Sequence, residues 1–90
     1  MSDAIDLTVA TRVRQVLAES LGWSLERVRP EHRFLVDLGM DSLDVVETVM
    51  NLEDDLQISI PDDDVARLTT VAEAIAYVER ALAQKRVADA

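Results

Sequence analysis

Apolar residues recur at helical spacing in three stretches of the chain. Ile5, Val9, Val13, Leu17 and Leu21 repeat every fourth position, with Ala10 and Val16 beside them, which predicts a one-sided amphipathic helix closed by Gly22. Val45, Val49, Leu52 and Leu56 predict a second helix, from about Ser42 to Leu56. Val71, Ala74, Ile75, Val78 and Leu82 predict a last helix, opened by a capping box of Thr70 and Glu73, that ends near Ala83 and leaves 84–90 as a frayed tail. Pro61 with Asp62, Asp63 and Asp64 suits the start of a short helix reaching about Leu68. Proline lacks the N–H that goes unpaired there, and carboxylates favour the positive end of a helix dipole. From Trp23 to Asp41 no period is sustained, and Leu25, Val28, Phe34 and Leu38 read as buried anchors of a long packed loop. No alternating strand pattern competes. The expected fold class is therefore all-α, a four-helix bundle with a long first loop and a short third helix. No compositional break divides the 90 residues, so a single domain is expected over 1–90, with its core at about 4–83.

The second helix carries more apolar surface than one core can take. Placed at about 100° per residue, Val45, Val49, Leu52 and Leu56 share one side, and Thr48 falls at the edge of that side. Leu43, Val46 and Met50 point well away from it, among Glu47, Glu53 and Asp54. The net charge of −9 is unevenly spread: no Lys or Arg occurs from Phe34 to Ala66, while Asp37, Asp41, Asp44, Asp55 and Asp62 to Asp64 add to the acids already named. Nucleic acid is excluded as a partner, because binding a phosphate backbone needs cations to displace its counterions. Surfaces of opposite sign are favoured instead. There is no cysteine, hence no disulfide framework or thiolate metal site. No leader-like segment or bilayer-length apolar run is seen, so a cytoplasmic protein that does not insert in membranes is expected.

Ser42 opens the second helix, just after Gly39, Met40 and Asp41. By position it is a candidate N-cap, a role Asp41 is able to share, and a helix start also offers free N–H groups and a positive dipole end to a phosphate. As a catalytic nucleophile it lacks a general base, since the sole histidine, His32, lies in the loop without an evident partner. Its flanks also lack the paired glycines of a nucleophile elbow. No catalytic residue is expected, and no metal site either, because the acidic runs do not have the spacing of a calcium loop. A glycine-rich phosphate loop is absent, with only Gly22 and Gly39 in the chain.

The string from Phe34 to Met50, with Asp41-Ser42-Leu43 at its centre, resembles the signature of the acyl carrier protein family. Leu52 to Leu56, Ile58 to Asp62 and Leu68 to Val71 resemble it at the matching spacing. Met40, Thr48 and Trp23 depart from the usual pattern, and none lies in the attachment motif. The resemblance implies a four-helix bundle whose Ser42 receives phosphopantetheine from coenzyme A through a phosphopantetheinyl transferase. The arm's thiol would carry acyl groups as thioesters, in fatty-acid, polyketide or specialised lipid biosynthesis. The protein is then expected to work as a monomer, a substrate of its partners rather than an enzyme. It further implies that acyl-transferring and acyl-modifying enzymes dock through basic patches on Asp41, Leu43, Asp44, Val46, Glu47, Met50, Glu53 and Asp54. The alternatives are an unmodified acidic interaction or regulatory protein on the same fold, and a peptidyl or alanyl carrier.

Overall fold

The computed structural model describes the backbone of residues 3–89 and the side chains of residues 9–85. Four α-helices follow one another: α1 (Asp3–Leu21), α2 (Ser42–Leu56), α3 (Asp62–Val65) and α4 (Val71–Asp89), with one 3-10 turn, Leu25–Arg27, in the first loop. Among the described residues there is no strand, only an isolated bridge between Arg33 and Thr70. The all-α bundle with a long first loop and a short third helix is thus the observed architecture.

α1 presents the expected stripe inward, with Val13, Val16, Leu17 and Ala18 buried, while the side chain of Ile5 lies outside the described residues. It ends where Gly22 turns left-handed, at φ 70°, and the Trp23 N–H returns 2.9 Å to the carbonyl of Ala18. α4 differs from its expected length. It continues as helix to Asp89 instead of fraying after Ala83, because the following stretch holds good helix formers such as Gln84, Lys85 and Ala88 and no Gly or Pro to stop it. α3 is also shorter than expected, a single turn capped by Pro61 and ending at Val65.

Around α1 the core is completed by Val28, Phe34, Leu38 and Met40 from the loop, Leu52 from α2, Ile60 from the link to α3, and Val71, Ala74 and Val78 from α4. Leu25 is only half-buried. Both α2 and α4 pack against α1. The long loop is fixed at both ends of its course. Arg14 of α1 donates to the carbonyls of Val28 (2.6 Å) and Leu25 (3.0 Å). Further on, the Phe34 N–H donates to Thr69, Val71 to His32 and Ala72 to Pro30, so the loop is stitched to the α3–α4 link. His32, with no function expected of it, is half-buried and accepts the Arg29 N–H at Nδ1.

One position departs from the wheel. Thr48, placed at the core edge by helical geometry, is buried at 3% exposure, and its Oγ1 has no hydrogen-bond partner in the protein. Thr48 and Leu52 form the centre of the buried face of α2, with Val45, Val49 and Leu56 partly buried beside them. A buried hydroxyl left unpaired costs about 1–3 kcal/mol.

Two predictions test this packing. Leu17→Ala, at 1% exposure, is expected to lower stability by about 2–5 kcal/mol, read as a lower urea midpoint with unchanged slope. At the start of α4, Glu73 Oε1 accepts from the Thr69 N–H (2.7 Å), the Thr69 hydroxyl (2.8 Å) and the Thr70 N–H (3.2 Å). The Thr69 backbone bond is the main cause that holds the Glu73 carboxyl below the usual glutamate range. A lowered folded-state pKa contributes stability above the ordinary value, and that contribution is lost as pH falls through the lowered one. Glu73→Gln is therefore expected to melt below wild type at neutral pH, with the gap closing on acidification below about pH 4.3. A gap independent of pH would refute the assignment.

Candidate functional site

The chain reaches Ser42 along a path fixed by two buried side chains. Leu38 and Met40 are 2% and 4% exposed, and they enter the core on either side of Gly39. Between them Gly39 turns left-handed, at φ 66°, a conformation in which a side chain would be strained. The Met40 N–H then donates 3.0 Å to the Phe34 carbonyl. Upstream, Asp37 accepts the Arg33 N–H at 2.8 Å and Nε at 3.3 Å. The backbone bond is the main influence that lowers the Asp37 carboxyl from its ordinary value. This turn pins Phe34 and Leu38 inward and leaves Leu35 and Val36, 62% and 66% exposed, on the surface.

Asp41, not Ser42, caps α2. Its carboxylate accepts the Asp44 N–H at 2.8 Å, and the Asp44 carboxylate accepts the Asp41 N–H at 3.1 Å, a reciprocal capping box. The sequence reading of Ser42 as the cap is corrected accordingly: it is the first residue of the helix. The acidic pair on either side of it makes the better box, since each carboxylate accepts the other's backbone N–H. The exposed Ser42 hydroxyl is left free of capping duty. The N–H groups of Ser42 and Leu43, in the first turn, have no intrahelical partner and point along the positive end of the helix dipole. An exposed hydroxyl beside two such donors fits a phosphodiester on the Ser42 oxygen.

Further along α2, Leu43, Val46 and Met50 are 64%, 51% and 60% exposed, on the side opposite Leu52. Glu47 and Asp54 stand exposed beside them. The other acids of this face have internal work: Asp44 in the capping box, and Glu53, half-buried, whose Oε2 accepts the Ile60 N–H at 2.8 Å and holds the α2–α3 link. Leu35 and Val36 add two exposed apolar side chains that the sequence reading passed over. Their signal was present in the spacing, because Phe34 and Leu38 as paired anchors leave the residues between them facing outward. Among the described residues no group of acids and histidine is arranged to hold a metal, and no helix is long and apolar enough to cross a membrane.

A family model described as the phosphopantetheine attachment site matches residues 11–78. The chain belongs to this carrier family. The match takes in most of α1, the whole loop, α2, α3 and the first half of α4. As a member, the carrier has phosphopantetheine as its covalent prosthetic group, and such carriers work with phosphopantetheinyl transferases and acyl-handling enzymes.

The capping box gives a direct test. Asp41→Ala is expected to cost the carrier about 1 kcal/mol in urea unfolding, while Asp41→Asn retains most of that stability. Equal losses in both variants would show that the carboxylate acts by charge and not as a cap.

Proposed function

We propose that Ser42 is the attachment point of the arm, and that the protein is a discrete, non-catalytic carrier of acyl intermediates in fatty-acid, polyketide or specialised lipid biosynthesis. The observation that carries this reading is the Asp41–Asp44 box, which caps α2 without Ser42 and leaves an exposed hydroxyl at its first turn. When attached, the arm supplies a terminal thiol that holds acyl groups as thioesters, chemistry the cysteine-free chain lacks. The protein's own part is to present that arm. The Ser42 and Leu43 N–H groups would be available to its phosphate, and the capped start of α2 would hold the attachment point in place.

The exposed side of α2 is proposed as the docking face, with Leu43, Val46 and Met50 as the apolar centre and Asp41, Asp44, Glu47, Glu53 and Asp54 as acidic surroundings. Separated charges of one sign speed encounter with a basic patch, and a small apolar contact permits rapid release. Leu43 and Val46 lie within one helical turn of Ser42, so a partner seated on them meets the arm.

Coenzyme A and a broad-specificity phosphopantetheinyl transferase are expected to add one phosphopantetheine mass to the wild-type protein and none to Ser42→Ala. An unmodified wild type with several such transferases sinks the proposal. For the docking face, Glu47→Lys is expected to slow association with the transferase several-fold at low salt, an effect that shrinks as ionic strength rises. Unchanged association at every salt concentration removes Glu47 from the face.

A further inference from the structure

An open groove of about 1160 Å³ separates the C-terminal half of α2 from α4, with Met50 and Asp54 on the α2 side and Tyr77, Arg80 and Gln84 on the α4 side. Met50 also belongs to the exposed apolar trio, so the groove continues the proposed docking face. Lys85 crosses it, its Nζ donating 2.7 Å to the carbonyl of Gln57, the left-handed cap of α2. That crossing exists because α4 continues past Ala83.

Most charged groups of the groove are engaged within the protein. The Glu53 carboxylate accepts the Ile60 N–H, Asp64 accepts the Tyr77 hydroxyl, and Lys85 holds Gln57. Asp54 and Arg80 differ: both are exposed, and neither forms an ion pair among the described residues, whereas Arg12, Arg29 and Arg33 each reach a carboxylate. The two sides thus present opposite charges. Asp54 prolongs the acidic side of α2, and Arg80 ends it. A partner surface made of cations alone is repelled at Arg80. One that carries a carboxylate beyond its cations fits both sides, and a guanidinium takes a carboxylate through two parallel N–H bonds.

We infer that the groove receives a segment of the docked partner whose cations face Glu47 and Asp54 and whose carboxylate pairs with Arg80. The inference rests on α2 being the docking face. Its consequence is direction. The acids of α2 alone leave a partner free to lie either way along the helix, whereas Arg80 marks the Met50 end and so fixes which part of the partner faces Ser42.

The test follows association and dissociation of the unmodified protein with the broad-specificity phosphopantetheinyl transferase. Arg80→Glu makes the protein more acidic, so attraction by overall charge alone would speed its association with a basic surface. The inference expects the opposite result, binding weakened several-fold and mainly through faster dissociation, as for a charge pair held at an interface. Arg29→Glu, the same change of charge outside the groove, is expected to bind at least as well as wild type. Gln84→Trp fills the groove without altering charge and is expected to weaken binding several-fold. Urea unfolding of each variant shows that it is folded before binding is read. Wild-type binding by Arg80→Glu or by Gln84→Trp, or an equal loss in Arg29→Glu, overturns the inference, and the docking face stands if Glu47→Lys still slows association. Binding insensitive to Glu47→Lys, Arg80→Glu and Gln84→Trp alike overturns both.

Discussion

The geometry of the site depends on the burial of Leu38 and Met40 on either side of a left-handed glycine. Those two side chains bind the end of a long irregular loop to the core, and they deliver Asp41 to the one place where it and Asp44 can satisfy each other's backbone. Everything useful about Ser42 follows from that delivery. Without the anchors α2 would begin at an undefined point. Without the acidic pair the serine would be drawn into capping. Order is built from the inside outward, and the exposed hydroxyl is positioned by groups it does not touch.

The same division recurs across the bundle. α1 is the common support on which α2 and α4 pack, and the loop and the α3–α4 link hold each other through backbone hydrogen bonds. Charge is arranged independently of this core. Arg12 pairs with Asp55 in a two-pronged contact at 2.9 and 3.2 Å, tying α1 to the end of α2. Asp64 accepts the Tyr77 hydroxyl at 2.6 Å, a bond that raises the phenol's pKa and ties α3 to α4. Several acids that read as surface charge in the sequence thus serve as local struts.

Much of the fold was legible because helical periodicity states which faces are buried. The stripe of α1, the capping box of Thr70 and Glu73, the turn at Gly22 and the exposed trio of α2 all come from local spacing, and local spacing decided them. The misses came where spacing is silent. Helix α4 ran past Ala83 because a weakened apolar stripe does not stop a segment of good helix formers. Whether Asp41 or Ser42 caps α2 is a contest between adjacent residues, settled by which side chain reaches a backbone N–H. The wheel put Thr48 at an edge, but side chains brought from the loop close over it, and a single helix cannot reveal what other elements supply. Leu35 and Val36 are a different case, since the anchors Phe34 and Leu38 already implied that the residues between them face outward.

The uneven spread of charge has an effect before any contact is made. Acids fill the stretch that holds Ser42 and α2, and cations lie in α1, the early loop and α4. On a molecule whose charge is unevenly spread, a positively charged surface exerts a torque as well as an attraction. On the proposed reading of Ser42 and α2, such a torque turns the molecule as it diffuses, so that fewer encounters are spent on the wrong side.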